Sequence, residues 1–360
     1  MTLLRNDIVR YGILGTARIA RQIIRSINSN PNARVEAIGS RSLQRATQMA
    51  KEMGIPSSYG DYFSVISRTD LDAIYIPLPN SEHYIWAKRA LENRKHVLCE
   101  KPLVLTLKEL DSLVTLAREN NLKLMEAMWY RFHPQTKLIK KYLSDSQLGR
   151  IQHFSSSLAF QELNGNDIRW NPSLGGGALF DLMCYQVDAI NHLLDVRRSN
   201  IERIDAFSNY RNRVDASVFS EIYLKTNCLI SLFCSIEKSS INATRIAGSH
   251  GFILVPHLQV YPNMASCFLD IHCGRSVKRI PVPQANAYDL MIGSFSESIR
   301  ENTQCEIALE DSRANLALLL AIKREINRSK GTADASHSVF SLLERWKLAG
   351  KKIRRGLGGL

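Results

Sequence analysis

Two side chains in this sequence could move a proton between them. Lys101 sits in Cys99-Glu100-Lys101-Pro102, directly after the short apolar run His96-Val97-Leu98. Tyr185 sits in Asp181-Leu182-Met183-Cys184-Tyr185, shortly after Gly175-Gly176-Gly177. An ammonium can polarise a carbonyl or lower the pKa of a nearby phenol, which then exchanges protons near neutrality. Asp181 and Tyr185 are spaced i, i+4, so on a helix they share one face. Read singly, Lys101 is a solvated charge on a strand end and Tyr185 a tyrosine packed on a helix. Lys101, Tyr185 and Asp181 become a candidate catalytic set if the fold brings them to one crevice. Pro102 would rigidify the chain and aim Lys101 inward.

The elements that would place Lys101 alternate strand and helix over residues 1–128. Apolar runs at 8–14, 34–39, 72–77, 96–99 and 122–127 predict strands. Helical spacing at 18–29, 43–53, 82–93 and 107–120 predicts the helices between them. Such alternation implies right-handed crossovers and a mainly parallel sheet with helices on both faces. In a doubly wound sheet the ligand crevice lies at the carboxyl ends of the strands, where Lys101 falls.

That crevice has nucleotide-binding features. The first strand runs into Gly12-Ile-Leu-Gly15-Thr16-Ala17-Arg18-Ile19-Ala20. A pyrophosphate needs a tight turn, free backbone N–H groups and a helix N-terminus aimed at it. Gly15 supplies the turn, while Ala17 and Ala20 stand where the strict glycine pattern has its second and third glycines. The second strand ends Ile38-Gly39-Ser40-Arg41, with Arg45 one helical turn on. An NAD site would place Asp or Glu there; Ser40, Arg41 and Arg45 suit a 2′-phosphate, so NADP(H) is favoured over NAD(H). In Pro77-Leu78-Pro79-Asn80-Ser81-Glu82-His83, two prolines fix a loop and Asn80 or Ser81 is expected to cap the next helix. Pro77, Leu78, Asn80 and His83 are candidate cofactor contacts.

After residue 128 the texture changes. A helix is expected at 134–143, then extended segments at 151–161, 201–208, 218–224, 228–235, 244–247, 251–255 and 267–273. Several alternate apolar and polar residues, as a sheet with one exposed face does. Helices are expected at 179–194 and 310–327. The fold class is α/β: an N-terminal dinucleotide-binding domain (1–128), an α+β domain with a large, mostly antiparallel open sheet (129–330), and a basic tail (331–360).

The chain has 360 residues, 45% hydrophobic and 22% charged, as in soluble two-domain proteins. The apolar stretch 316–322 is far too short to span a bilayer. Arg5, Asp7 and Arg10 argue against a signal peptide. Seven cysteines without a Cys-x-x-Cys pair point to reduced cytosolic thiols rather than disulfides or a metal site. The net charge is +13, and residues 323–360 hold ten Lys and Arg against three Asp and Glu. The body is thus only mildly basic, as suits a binder of phosphorylated ligands, and no nucleic-acid recognition motif is present. The tail reads as an accessory helix or loose end, or as a basic amphipathic segment that touches a membrane surface or partner.

Taken together, these segments resemble the Gfo/Idh/MocA oxidoreductase family. The resemblance rests on Gly-Ile-Leu-Gly-Thr-Ala-Arg-Ile-Ala, Ile-Pro-Leu-Pro-Asn-Ser-x-His, Cys-Glu-Lys-Pro, the run 126–134 and Gly-Gly-Gly-Ala-Leu-x-Asp. It implies a Rossmann domain followed by a domain whose open sheet often forms a dimer interface, hence a homodimer or homotetramer. The family's catalytic lysine falls on Lys101, with Glu100 beside it. Many members carry histidine where this chain has Tyr185. The tyrosine type is similar to the branch of glucose–fructose oxidoreductase, NADP-dependent D-xylose dehydrogenase, dihydrodiol dehydrogenase and nucleotide-sugar 3-ketoreductases, which tends to use NADP(H). Arg169-Trp170 resembles that branch's segment near the nicotinamide. Met183 departs from a common glycine and would narrow the pocket. The resemblance implies a cytoplasmic enzyme of carbohydrate metabolism with a sugar-like substrate. Dihydrodiol or aldose oxidation is the alternative reaction, and a cofactor-sensing scaffold the alternative class.

Overall fold

The structure, a computed structural model, describes residues 8–196, 200–258 and 267–331. The expected tail helix and basic run lie outside them. The first sheet is parallel and built from β1 (Val9–Leu14), β2 (Ala33–Gly39), β3 (Ser57–Tyr59), β4 (Ala73–Ile76), β5 (His96–Cys99) and β6 (Leu124–Glu126). Its order is β3-β2-β1-β4-β5-β6. Helices cover both faces, so all four residues of β4 are buried, which explains its uninterrupted apolar run. The strand order reverses between β1 and β4, and the crevice opens above their carboxyl ends. The short edge strand β3, Ser-Ser-Tyr, has no apolar pattern and escapes a reading by hydrophobicity.

The second sheet has eight strands: β7 (Ile151–Gln161), β8 (Ile201–Arg211), β9 (Val214–Leu224), β10 (Leu229–Ser235), β11 (Glu237–Gly248), β12 (Gly251–Val255), β13 (Cys267–Cys273) and β14 (Ser276–Val282). The order is β14-β13-β12-β11-β7-β10-β9-β8, and only the β7–β10 pair is parallel. β9 and β10 alternate buried and half-buried positions, the pattern of a sheet with one covered face. β14 is mostly exposed, with Lys278 and Arg279 at its centre, and was not expected. It forms because the turn at Gly274, in the left-handed region at φ 58°, folds it back on β13.

Two differences bear on the site. The helix expected over 179–194 begins as a π-helical segment, Leu179–Met183, and continues as α-helix from Cys184 to Leu194. A helix over Ala287–Arg300, not expected, packs against β1 and the helix Arg18–Ser29. Ser296 on this helix shares a 2.8 Å hydrogen bond with the buried Tyr11 hydroxyl of β1. A division of the chain after residue 128 puts this helix in the second domain, but in space it covers the first sheet.

Where the two halves meet, Arg131 grips Asp188 with two hydrogen bonds, Nε to Oδ2 at 2.8 Å and Nη2 to Oδ1 at 2.6 Å. Both side chains are buried. The Tyr130 hydroxyl and the Asn315 amide also donate to Asp188, and Arg131 reaches Asp311 at 2.7 Å. A buried charge pair is tolerated only when its remaining hydrogen-bonding capacity is filled in this way.

Candidate active site

Lys101 follows β5, and its bond to Pro102 is cis. Its ammonium crosses to the second half of the molecule. Nζ donates to Asp181 Oδ1 at 2.8 Å and to the Asp181 carbonyl oxygen at 2.6 Å. Arg169 Nε donates to the other carboxylate oxygen at 2.6 Å, and Arg169 Nη1 donates to Asp167 Oδ1 at 3.1 Å. Asp181 therefore carries one cation on each oxygen. Lys101 Nζ lies 4.7 Å from the centre of the Tyr185 ring, and the Tyr185 hydroxyl accepts from Trp129 Nε1 at 3.0 Å. Lys101, Asp181, Arg169 and Tyr185 are thus brought together.

Burial opposes the charge on Asp181, but Lys101 and Arg169 outweigh it and hold the carboxyl well below the usual carboxylate range. Burial likewise opposes the ammonium of Lys101, and the Asp181 carboxylate reverses it and holds Lys101 above its ordinary value. The pair stays charged throughout the neutral range. For Tyr185 burial wins: the phenol is pushed above its ordinary value, and the opposing field of Lys101 does not bring it down. This corrects the expectation that lysine lowers the phenol toward neutrality. The ammonium lies over the ring and gives its hydrogen bonds to Asp181, so it does not touch the hydroxyl. Tyr185 is held in its proton-donating form.

A cleft of about 330 Å³ opens at the β1/β4 reversal, lined by Gly15, Thr16, Ala17, Ser40, Arg41, Ser42, Arg45, Tyr62, Pro77, Leu78, Pro79 and Ile168. Gly15 has φ 105°, which favours glycine, and a Cβ there would lie 2.9 Å from Leu78 Cδ2. The helix Arg18–Ser29 starts without a side-chain cap and without an acidic residue in its first turn, which leaves its N–H groups to an anion. Ser40, Arg41 and Arg45 flank the far end with two guanidinium groups and a hydroxyl, and no carboxylate among them. These groups fit the pyrophosphate and 2′-phosphate of a dinucleotide. Tyr62, Ser42 and Ile168 were not singled out from sequence. Tyr62 stacks edge-on against Trp86 at 4.9 Å, a pairing no local pattern announces.

Other expected cofactor contacts lie elsewhere. His83 is 0% exposed, with Nδ1 2.8 Å from the Pro102 carbonyl oxygen and Nε2 2.8 Å from that of Leu78. It ties the loop after β4 to the lysine turn and does not reach the cleft. Asn80 does not cap its helix; its amide donates to the Gly175 carbonyl oxygen at 2.9 Å, across to the second half. Gly175 has φ 74°, and a Cβ there would meet Asn80 Cβ at 2.9 Å. Glu100 accepts from the Tyr75 hydroxyl at 2.7 Å, and burial pushes its carboxyl up. Trp170 donates to the Glu162 carbonyl oxygen at 3.3 Å. Arg18 is exposed at its helix start, and Ile19 packs against the core.

The comparisons with known proteins agree with this geometry. Residues 9–128 match the family model described as oxidoreductase family, NAD-binding Rossmann fold, and residues 136–254 match the GFO/IDH/MocA C-terminal domain. An uncharacterised oxidoreductase of Rhizobium meliloti is 31% identical over 342 residues, covering 89% of this chain and 98% of the relative. The chain belongs to the Gfo/Idh/MocA oxidoreductase family. Another Gfo/Idh/MocA-like relative, a dTDP-3,4-didehydro-2,6-dideoxy-alpha-D-glucose 3-reductase of Actinomadura kijaniata, is 28% identical over 88% of this chain and 95% of its own. The crystal structure of a 3-ketoreductase from Actinomadura kijaniata in complex with NADP and TDP-benzene superposes with a TM-score of 0.84 at 27% identity, covering 88% of this chain and 98% of that one. A D-xylose 1-dehydrogenase (NADP(+)) of Haloferax volcanii is 39% identical over half of this chain and 55% of its own length.

Glu126, at the end of β6, holds the lysine turn from behind: its Oε1 accepts from Leu103 N at 3.0 Å. Burial pushes its carboxyl up to about 6. The folded state therefore binds this proton more tightly than the unfolded chain. The stability it contributes is complete below the ordinary glutamate value of 4.5 and is lost as pH rises through about 6. Glu126→Gln keeps the acceptor and removes the titration. Urea unfolding at pH 4.5 and 7.5 should show the variant losing about 2 kcal/mol less than the parent over that interval. Equal losses would mean that Glu126 titrates as an ordinary glutamate.

Proposed function

We propose that this chain transfers hydride between NADP(H) and a carbonyl or hydroxyl carbon of a sugar or sugar-like substrate. The observation that carries the reading is the Tyr185 phenol beside the Lys101–Asp181–Arg169 cluster, with the ammonium 4.7 Å from the centre of its ring. The cofactor preference is supported by Ser40, Arg41 and Arg45, with no carboxylate at the end of β2, and by the NADP named for the relatives. Gly15, Thr16, Ala17, Pro77 and Leu78 would hold the remainder of the dinucleotide. A substrate with several hydroxyls is supported by the sugars and sugar nucleotides in the relatives' names.

NADPH, when bound, supplies the hydride to the carbonyl carbon. Tyr185 gives its proton to the oxygen, because a nascent alkoxide is more basic than even a buried phenol. Lys101 opposes the negative charge left on the ring. Asp181 fixes the ammonium in place, and by itself would also cancel its charge. Arg169 takes the second carboxylate oxygen and is itself countered by Asp167, so the cluster as a whole is neutral and Lys101 acts through its nearness to the ring. Oxidation follows the same path in reverse, with the tyrosinate as base.

We infer a nucleotide domain over 1–128 and a substrate domain over 129–330, to which the helix Ala287–Arg300 is an exception in space. The open face of the second sheet carries Tyr223 under Arg203, Phe268 under Arg279 and the pair Phe207 and Phe219, a surface suited to a second copy of the chain. Seven unpaired cysteines support a reducing, cytoplasmic setting. Among the described residues no helix is long and apolar enough to cross a membrane.

Lys101→Ala and Tyr185→Phe should each lower kcat on the order of a hundredfold or more, while fluorescence titration finds NADPH bound as before. Turnover at the parent rate in both would refute the assignment. Arg41→Ala should raise KM for NADPH about tenfold and leave KM for NADH nearly unchanged. An equal effect on both cofactors would remove Arg41 from the 2′-phosphate. Sedimentation velocity should find a dimer; a monomer at micromolar concentration would leave the open sheet face without a partner copy.

A further inference from the structure

Tyr288 is a second phenol at this centre, and neither the proton step nor the cofactor cleft uses it. It sits in the first turn of the helix Ala287–Arg300, where Asn286 caps the helix by accepting from its backbone N–H at 3.1 Å. That helix is pinned to β1 by Tyr11 and Ser296, so Tyr288 is carried by the rigid nucleotide half. Its ring lies 5.2 Å from that of Trp129, the same indole whose N–H donates to the Tyr185 hydroxyl. One indole therefore separates the two phenols.

Tyr288 is only 7% exposed. Buried tyrosine hydroxyls ordinarily find a partner, because leaving one unpaired costs free energy. Among the described residues the Tyr288 hydroxyl has none, and it is not one of the fully sealed unpaired polar atoms either. The hydroxyl therefore keeps a small accessible surface through which a ligand group can reach it. Burial pushes the phenol up, Tyr185 and Glu100 add to this, and Lys101 opposes it; all three therefore lie within electrostatic reach of the hydroxyl. Tyr288 has no counterpart of the ammonium that stacks on Tyr185, which suits it to binding rather than to proton release.

We infer that Tyr288 determines substrate specificity: its hydroxyl hydrogen-bonds one substrate hydroxyl other than the reacting one. This rests on the sugar reading above and deepens it. A site with a buried hydrogen-bonding group rejects an analogue that lacks the matching hydroxyl, because its own group is then left unpaired.

The test compares the parent and Tyr288→Phe with NADP⁺ on D-xylose, D-glucose and their monodeoxy analogues, with kcat/KM from NADPH absorbance and sugar dissociation constants from calorimetry. The expected result is a loss of about tenfold to a hundredfold on the parent sugar and no loss on one particular deoxy analogue. The calorimetric constant should move in parallel, with NADP⁺ affinity and melting temperature unchanged. The same loss on every analogue, or no loss on any, would overturn the inference alone. No turnover by the parent of these sugars with NADP⁺, nor of keto-sugars or sugar nucleotides with NADPH, would overturn the sugar reading, and the inference with it.

Discussion

The site depends on one carboxylate held between two cations. Asp181 belongs to the second half of the chain, and Lys101 reaches it from the end of a strand in the first. The contact at 2.8 Å is at once an ion pair, a seam between domains and the feature that orients the ammonium. Burial makes each of these charges costly by itself, and each is retained because the others are present. Arg169 matters as much as the lysine in this balance. Without a second cation one oxygen of the buried Asp181 carboxylate would lack its partner, and the ammonium beside the phenol ring would be held less firmly.

The fold supplies this contact from both sides. The strand order reverses at β1 and β4, which opens the crevice, and β5 then delivers Lys101 to its edge. His83 and Glu126 hold the turn after Lys101 by its backbone, from opposite directions. On the other side, the π-helical segment Leu179–Met183 carries Asp181 and presents both its carboxylate and its carbonyl oxygen to the ammonium. Such segments are rare and recur at functional sites. Behind it, the Arg131–Asp188 network fixes the helix on which Tyr185 sits.

Much of this was legible before any coordinates. An apolar run ending in Gly15, Ser40-Arg41 after the next run, and a lysine at the end of another are local signals, and each falls where the doubly wound plan puts it. What escaped was direction. His83 lies in the first turn of the helix after the right loop, but nothing in its neighbours says that its ring turns toward two carbonyl groups instead of the cleft. Tyr185 was rightly paired with Lys101, yet the sign of its pKa shift depends on whether the ammonium meets the hydroxyl or the ring. The helix Ala287–Arg300 has apolar spacing at Met291, Phe295 and Ile299, but the surface it covers lies at the opposite end of the chain. Tyr288 was missed for that reason.

The return of that helix to β1 also has a mechanical meaning. The chain leaves the first sheet after β6, builds the second sheet, and comes back to the first before it ends. It then crosses once more, because the helix Leu309–Gly331 packs mainly on β8 and the helix Cys184–Leu194, so three backbone crossings stitch the two halves together. Each added crossing removes a way for the halves to turn against each other. That stitching keeps Asp181 facing Lys101 without relying on the ion pair alone.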